Sequence, residues 1–132
     1  MHRSIGLIVG FAGLTAVVLG AFGAHGLKPY LNADQLNMWE KGVQYQFYHT
    51  LAIFVCMLYL RHESSTLLKN ASYCFSIGIL FFSGSLYLLS TRHLTGIPSA
   101  FLGPVTPLGG LFFIAGWLHI LVAAFRSEQK QK

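Results

Sequence analysis

Four histidines sit where an otherwise apolar chain could use them: His25, His49, His93 and His119. His49 is the most suggestive. The string Y-Q-F-Y-H-T at 45–50 directly precedes an uninterrupted apolar run, Leu51 to Leu60. At helical spacing Trp39, Gly42, Gln46, His49 and Ile53 share one face, as do Tyr45, His49, Ala52 and Cys56. His49 lies where the two stripes overlap. A neutral imidazole both donates and accepts a hydrogen bond. Inside a bilayer it can pin one helix to a serine, tyrosine or carbonyl on another. It can also serve the passage of a solute or proton, or ligate a metal or haem. All three readings are open from the residues alone.

Spacing gives ligation little support. His25, His49 and His93 are the residues a metal site would draw on, and no two of them have ligand-motif spacing. A haem held by His49 and His119 requires ligands whose depths differ by about four residues, roughly 6 Å. We therefore expect no cofactor and assign no metal ligand. Enzymatic chemistry has as little to stand on. The acids Asp34, Glu40, Glu63 and Glu128 all fall at or outside the expected membrane boundary. No serine, cysteine or lysine sits in a catalytic motif. The expectation is a non-enzymatic membrane protein that passes a small solute, with a structural or assembly partner of another membrane complex as the alternative and a metal- or haem-binding protein as the second.

The elements that must position His49 are apolar runs. Charged residues make up 10% of the 132-residue chain, against roughly 25% in a soluble domain. The chain is rich in Phe, Tyr and Trp. A net charge of +5 is spread between apolar blocks rather than clustered, which excludes a nucleic-acid face. Cys56 and Cys74 lie inside apolar segments and read as free buried thiols. The sequence predicts one all-α domain over residues 1–132, an integral membrane bundle of four transmembrane helices. The spans run over about 5–24, 42–60, 71–89 and 108–125, each near the roughly 20 residues a bilayer requires. The first run is too long for the core of a cleaved signal, so we expect it to be retained.

Small residues mark where these helices meet. Gly6, Gly10, Gly13, Val17, Gly20 and Ala24 alternate at spacings of four and three, a seam that admits close approach. Gly109, Gly116 and Ala123 form a second seam. Between the spans, Pro29 breaks the chain and Asn32 can cap a helix beginning near Ala33. Lys28, Tyr30, Trp39 and Lys41 suit the headgroup region. Residues 61–70 read as a polar turn. Pro98 and Pro104 exclude a regular helix through 91–105, a segment apolar enough to lie on the membrane surface or dip into it. Thr106-Pro107 reads as an N-cap followed by the first helical residue.

Four spans put the N-terminus, the 61–70 turn and the tail on one side, with Arg3, Arg61, Lys69, Arg126, Lys130 and Lys132. The other side holds Lys28, Lys41 and Arg92. Positive charge faces the cytoplasm, so both termini are expected there, in a bacterial inner membrane. The outer half then collects a polar cluster, for which we name His25, Gln46, His49, Ser83 and Tyr87. The partners expected are the lipid bilayer and either a second copy or another membrane protein, with no nucleic acid.

Five strings in order carry a resemblance: G-A-F-G-A-H-G-L at 20–27, Y-Q-F-Y-H-T-L-A at 45–52, F-S-G-S-L-Y-L-L at 82–89, T-P-L-G-G at 106–110 and G-W at 116–117. They resemble the domain-of-unknown-function family 423, small bacterial inner-membrane proteins with a eukaryotic relative called transmembrane protein 256. The resemblance covers nearly the whole chain and implies a four-helix integral membrane protein. It implies no particular activity. His25 and His49 fall inside the family-like strings, and His119 does not.

Overall fold

The computed structural model describes residues 2–129, with side chains described for residues 3–126. Lys130 and Lys132, which count in the charge asymmetry, lie outside the described residues. Among the described residues the secondary structure is entirely helical. Helix α1, His2–Phe22, continues through a wide turn, Gly23–Leu27, with i→i+5 pairing. Helix α2 runs unbroken from Ala33 to Leu60. Helix α3, Thr66–Gly78, passes through a second wide turn, Ile79–Ser83, into α4, Gly84–Ser90. Two short helices follow, α5 over Arg92–Thr95 and α6 over Ser99–Leu102. Helix α7 is Val105–Gln129.

Three stretches are long and apolar enough to cross a membrane: Arg3–Leu27, Thr66–Ser90 and Ser99–Arg126. Helix α2, the second expected span, is 28 residues long, about 42 Å of helix. Its first half carries Asp34, Gln35, Glu40, Lys41, Gln44 and Gln46, which sets it apart from the three apolar stretches. Of these polar residues, only Gln46 is buried; Asp34, Glu40, Lys41 and Gln44 are exposed, and the helix is longer than the roughly 30 Å hydrocarbon core, so its first turns can lie outside it. Trp39, Gly42, Gln46, His49, Ile53, Cys56 and Leu60 are buried, a stripe at spacings of three and four that matches the expected face.

The helices pack in a row. Helix α1 lies along α2, α2 along α3 and α4, and α3 with the second wide turn along α7. The lower core joins Ile5 of α1 to Ile53, Cys56 and Leu60 of α2, to Leu68, Ala71 and Phe75 of α3, and to Phe113 of α7. A smaller cluster of Leu27, Leu31 and Trp39 closes the other end. The outer faces of α1 and α7 stay bare: Phe11 is 70% exposed and Leu111 61%.

The loops are shorter than the sequence suggests. The polar turn shrinks to residues 61–65, because Ser65 accepts a hydrogen bond from the Leu68 N–H and starts α3 at Thr66. Asn32 caps α2 as expected. Its side chain accepts from Gln35 N–H, and Gln35 Oε1 accepts from Asn32 N–H, both at 2.9 Å, a reciprocal box. Thr106 is not the cap of α7. The helix begins one residue earlier, Pro107 sits within the first turn where no amide hydrogen is needed, and Thr106 Oγ1 instead meets Ser85 Oγ of α4 at 2.6 Å. The segment after α4 folds into two single helical turns, separated by Gly96 at φ 70°.

Trp39 also departs from expectation. It does not face headgroups: it is buried, and its indole N–H donates to the Leu19 carbonyl of α1 at 2.9 Å. Lys28, Tyr30 and Lys41 are exposed.

The glycine seam of α1 divides. A methyl at Gly6, Gly13 or Gly20 would touch Met57, Thr50 or Val43 of α2 at ordinary contact distance, whereas Gly10 is exposed with nothing within 4 Å. Seven-residue spacing faces the partner, and the intervening seam residues Gly10 and Val17 are exposed. The tightest approaches lie elsewhere. A side chain at Gly109 would collide with the Phe82 backbone, and one at Gly116 with the Phe75 ring. Gly109 therefore sets how closely α7 approaches the wide turn.

Candidate functional site

Both polar residues singled out on α2 are buried, but they belong to two separate arrangements. Gln46 faces α1 and α4. Its amide Nε2 donates to the Ala12 carbonyl and to Thr15 Oγ1, both at 2.8 Å. Its Oε1 accepts from the Tyr87 hydroxyl at 2.8 Å. Thr15 Oγ1 donates in turn to the Phe11 carbonyl at 2.8 Å. One glutamine thus ties three helices together through its amide. Tyr87 is held against α2 by more than this bond: its ring packs on Trp39 with centroids 4.7 Å apart and lies over Gly42, where a side chain would collide with it. Only glycine leaves room there for the tyrosine to reach Gln46.

His49, one turn further, faces α3 and α7. Its ring stacks on Phe113 with centroids 3.5 Å apart and planes 4° from parallel, and meets Phe75 at 5.3 Å. Nδ1 lies 2.7 Å from the Tyr45 carbonyl one turn back. The Trp117 indole N–H points at Nε2, 3.3 Å away. An indole only donates, so Nε2 is the acceptor and the proton sits on Nδ1, which donates to Tyr45. These partners define a neutral imidazole with both nitrogens engaged. Phe113 and Trp117 are residues that sequence reasoning missed. Phe113 and Gly116 form the buried face of α7 at helical spacing, and Trp117 stands beside them, but nothing in the chain says that this face meets His49.

The rest of the expected cluster does not converge. His25 is exposed on the wide turn that ends α1, ten residues and so roughly 15 Å beyond Thr15. Ser83 is fully buried in the second wide turn, and its Oγ has no hydrogen-bond partner among the described residues. The other buried serines of α3 and α4 bond back to their own helix: Ser72 to Leu68, Ser90 to Tyr87, the local habit of the residue. His93 lies on α5, where Nε2 donates to the Tyr30 carbonyl and Nδ1 accepts from Gln35 Nε2, each at 3.1 Å. His119 Nδ1 bonds to Ala115 of its own helix at 2.7 Å. Among the described residues, no three of the histidines, cysteines and acids come together as metal ligands. Cys56 and Cys74 are free thiols, the first buried and the second half-buried.

Apolar helices of membrane-spanning length, a more polar helix packed between two of them along one face and outward faces of bare hydrocarbon define an integral membrane protein. The chain belongs to the family described as Protein of unknown function (DUF423), whose pattern matches residues 19–110. That stretch contains Gln46, His49 and Tyr87, and it ends at Gly110, before Phe113 and Trp117. Among its relatives, the UPF0382 membrane protein YwdK of Bacillus subtilis is 44% identical over 115 residues, 86% of this chain and 89% of that one. The UPF0382 membrane protein SH2409 of Staphylococcus haemolyticus is 39% identical over 113 residues, 86% of this chain and 88% of the relative. The UPF0382 inner membrane protein YgdD of Escherichia coli K12 is 38% identical over 124 residues, 94% of this chain and 91% of its own. No solved structure matches the chain.

Proposed function

We propose that this is a four-span inner-membrane protein with both termini in the cytoplasm. It works without enzymatic chemistry, as a structural or assembly partner of other membrane proteins. The observation that carries the reading is that the buried side chains Gln46 and His49 of α2 are spent on partners within the bundle. Every polar side-chain atom of Gln46 and His49 has a partner inside the bundle. Groups so engaged hold helices together and are not free to line a path. Passage of a small solute, the competing reading, would need them released. What remains available to a partner is the surface, chiefly the bare faces of α1 and α7.

The fourth span is supported by connectivity. Ile5 of α1, Leu60 of α2 and Leu68 of α3 share the lower core, so α1 and α3 start at the same end. If α1 crosses the bilayer, α2 must return through it. The polar side chains deepest in it, Gln46 and His49, are then tolerable because they bond to neighbouring helices. The E. coli relative's name as an inner membrane protein supports the location, and the excess of Arg and Lys at the end holding both termini supports the orientation.

The test pairs a deletion-complementation phenotype with flux in reconstituted vesicles. Phe11→Ala and Leu111→Ala on the bare faces should keep the melting temperature and lose complementation. Wild-type vesicles that conduct small solutes, with conduction altered by Gln46→Asn at unchanged stability, would replace this reading with permeation.

A further inference from the structure

The cores of α2, α3 and α7 meet at Cys56, Leu60, Leu68, Phe75 and Phe113. Below them the ends of the helices part. A cleft of about 520 Å³ opens between the end of α2, the 61–65 turn with the start of α3, and the end of α7. That is within the roughly 300–1,000 Å³ of a small-molecule site. Val55, Cys56, Leu67, Leu68, Ile120 and Ala123 supply an apolar wall, while the exposed Glu63, Ser64, Thr66 and Arg126 stand at the mouth. Arg126 and Ser64 are exposed, so their polar groups are available to a ligand.

We propose that this cleft binds one anionic glycerophospholipid, with its acyl chain along the apolar wall and its phosphate at Arg126. Three observations converge on that occupant. The cleft lies at the boundary where helices α2 and α7 leave the apolar zone, so lipid is the molecule present at high concentration. Its wall is apolar and its mouth offers a guanidinium and hydroxyls, which together match an acyl chain joined to a phosphate. The charge at this end is complementary: Arg3, Arg61, Lys69 and Arg126 stand against Glu63 and Glu128, whereas Lys28, Lys41 and Arg92 at the other end are offset by Asp34 and Glu40. Basic pockets between membrane helices are sites for acidic headgroups. Glu63 also stands at the mouth, where its carboxylate accepts from the Tyr59 hydroxyl at 3.4 Å, so the acidic headgroup is placed on the Arg126 side.

The inference is independent of the role assigned to the buried network, and its test can fail separately. The full-length protein is purified in mild detergent, and bound lipid is counted by native mass spectrometry. Phosphatidylglycerol or phosphatidylethanolamine is added in turn. The wild type should retain one phosphatidylglycerol in preference to phosphatidylethanolamine. Arg126→Gln should lower that retention about fivefold, the factor equivalent to about 1 kcal/mol for one basic residue at an acidic membrane surface. Arg126→Lys should keep most of it. Ala123→Phe should abolish it by filling the cleft. Arg126 is exposed, so its variants report on binding even if Ala123→Phe fails to fold. Equal retention of the two lipids, or retention unchanged in Arg126→Gln, would mean an annular lipid and overturn the proposal. A wild type that keeps no lipid while residues 127–132 resist protease would put the chain's own tail in the cleft and overturn it too.

Discussion

Replacing Gln46 with leucine removes the amide that joins α1, α2 and α4 without changing the volume much. Three interhelical hydrogen bonds are lost, to Ala12, Thr15 and Tyr87. In membranes such bonds average about 0.6 kcal/mol each, so their direct loss is about 2 kcal/mol. Two of the former partners stay satisfied: the Ala12 carbonyl is within a helix, and Thr15 Oγ1 keeps the Phe11 carbonyl. The Tyr87 hydroxyl is the exception, because its acceptor is Gln46 itself. Stranding it adds about 1–2 kcal/mol, for a total of about 3–4 kcal/mol. Tyr87→Phe leaves no stranded hydroxyl but strands Gln46 Oε1, and should cost about 1–2 kcal/mol. The double variant should therefore cost less than the sum of the singles, with a coupling of at least about 1 kcal/mol. Unfolding in mixed micelles with increasing denaturing detergent measures all three. Strict additivity, or a Gln46→Leu protein within about 0.5 kcal/mol of wild type, would refute the claim that this amide is the junction of three helices.

Three further outcomes follow from the contacts around α7 and α1. His49→Leu should cost about 0.6–2 kcal/mol and, by removing the acceptor of the Trp117 indole, alter its fluorescence; His49→Gln should recover part of the stability. Gly109→Ala should lower the melting temperature and cost about 1–3 kcal/mol, since its methyl would meet the Phe82 backbone. Gly10→Leu, on the same seam by sequence but open in the structure, should leave the melting temperature unchanged, which a thermal scan in detergent would check.

How far the residues announced this arrangement depends on the range of the force concerned. Local signals were legible. Asn32 and Gln35 cap α2 because a side chain three residues away can reach the free amide, and that needs no knowledge of the rest of the fold. The buried stripe from Trp39 to Leu60 was legible because burial follows helical period. Register between helices was not. The first glycine seam read as one face, although only Gly6, Gly13 and Gly20 meet α2. The wide turn at Ile79–Ser83 has no residue signature, yet it shifts which residues follow the buried face. Burial steps by three or four from Leu68 to Gly78 and then by five to Ser83. Thr106 has the chemistry of a cap, but a serine on another helix competes for it. His49 was identified as a hub, while its partners Phe113 and Trp117 lie more than sixty residues away and were not.

The four-span bundle requires α2 to cross the membrane despite its polar first half. Single cysteines at Tyr30 and at Ser64, on a background of Cys56→Ser and Cys74→Ser, test this directly with a membrane-impermeant thiol reagent on intact cells. Four spans predict labelling of Cys at position 30 from outside and labelling at position 64 only after the membrane is opened. Labelling of both positions from the same side would show that α2 does not cross, and would contradict the four-span bundle on which the buried network depends.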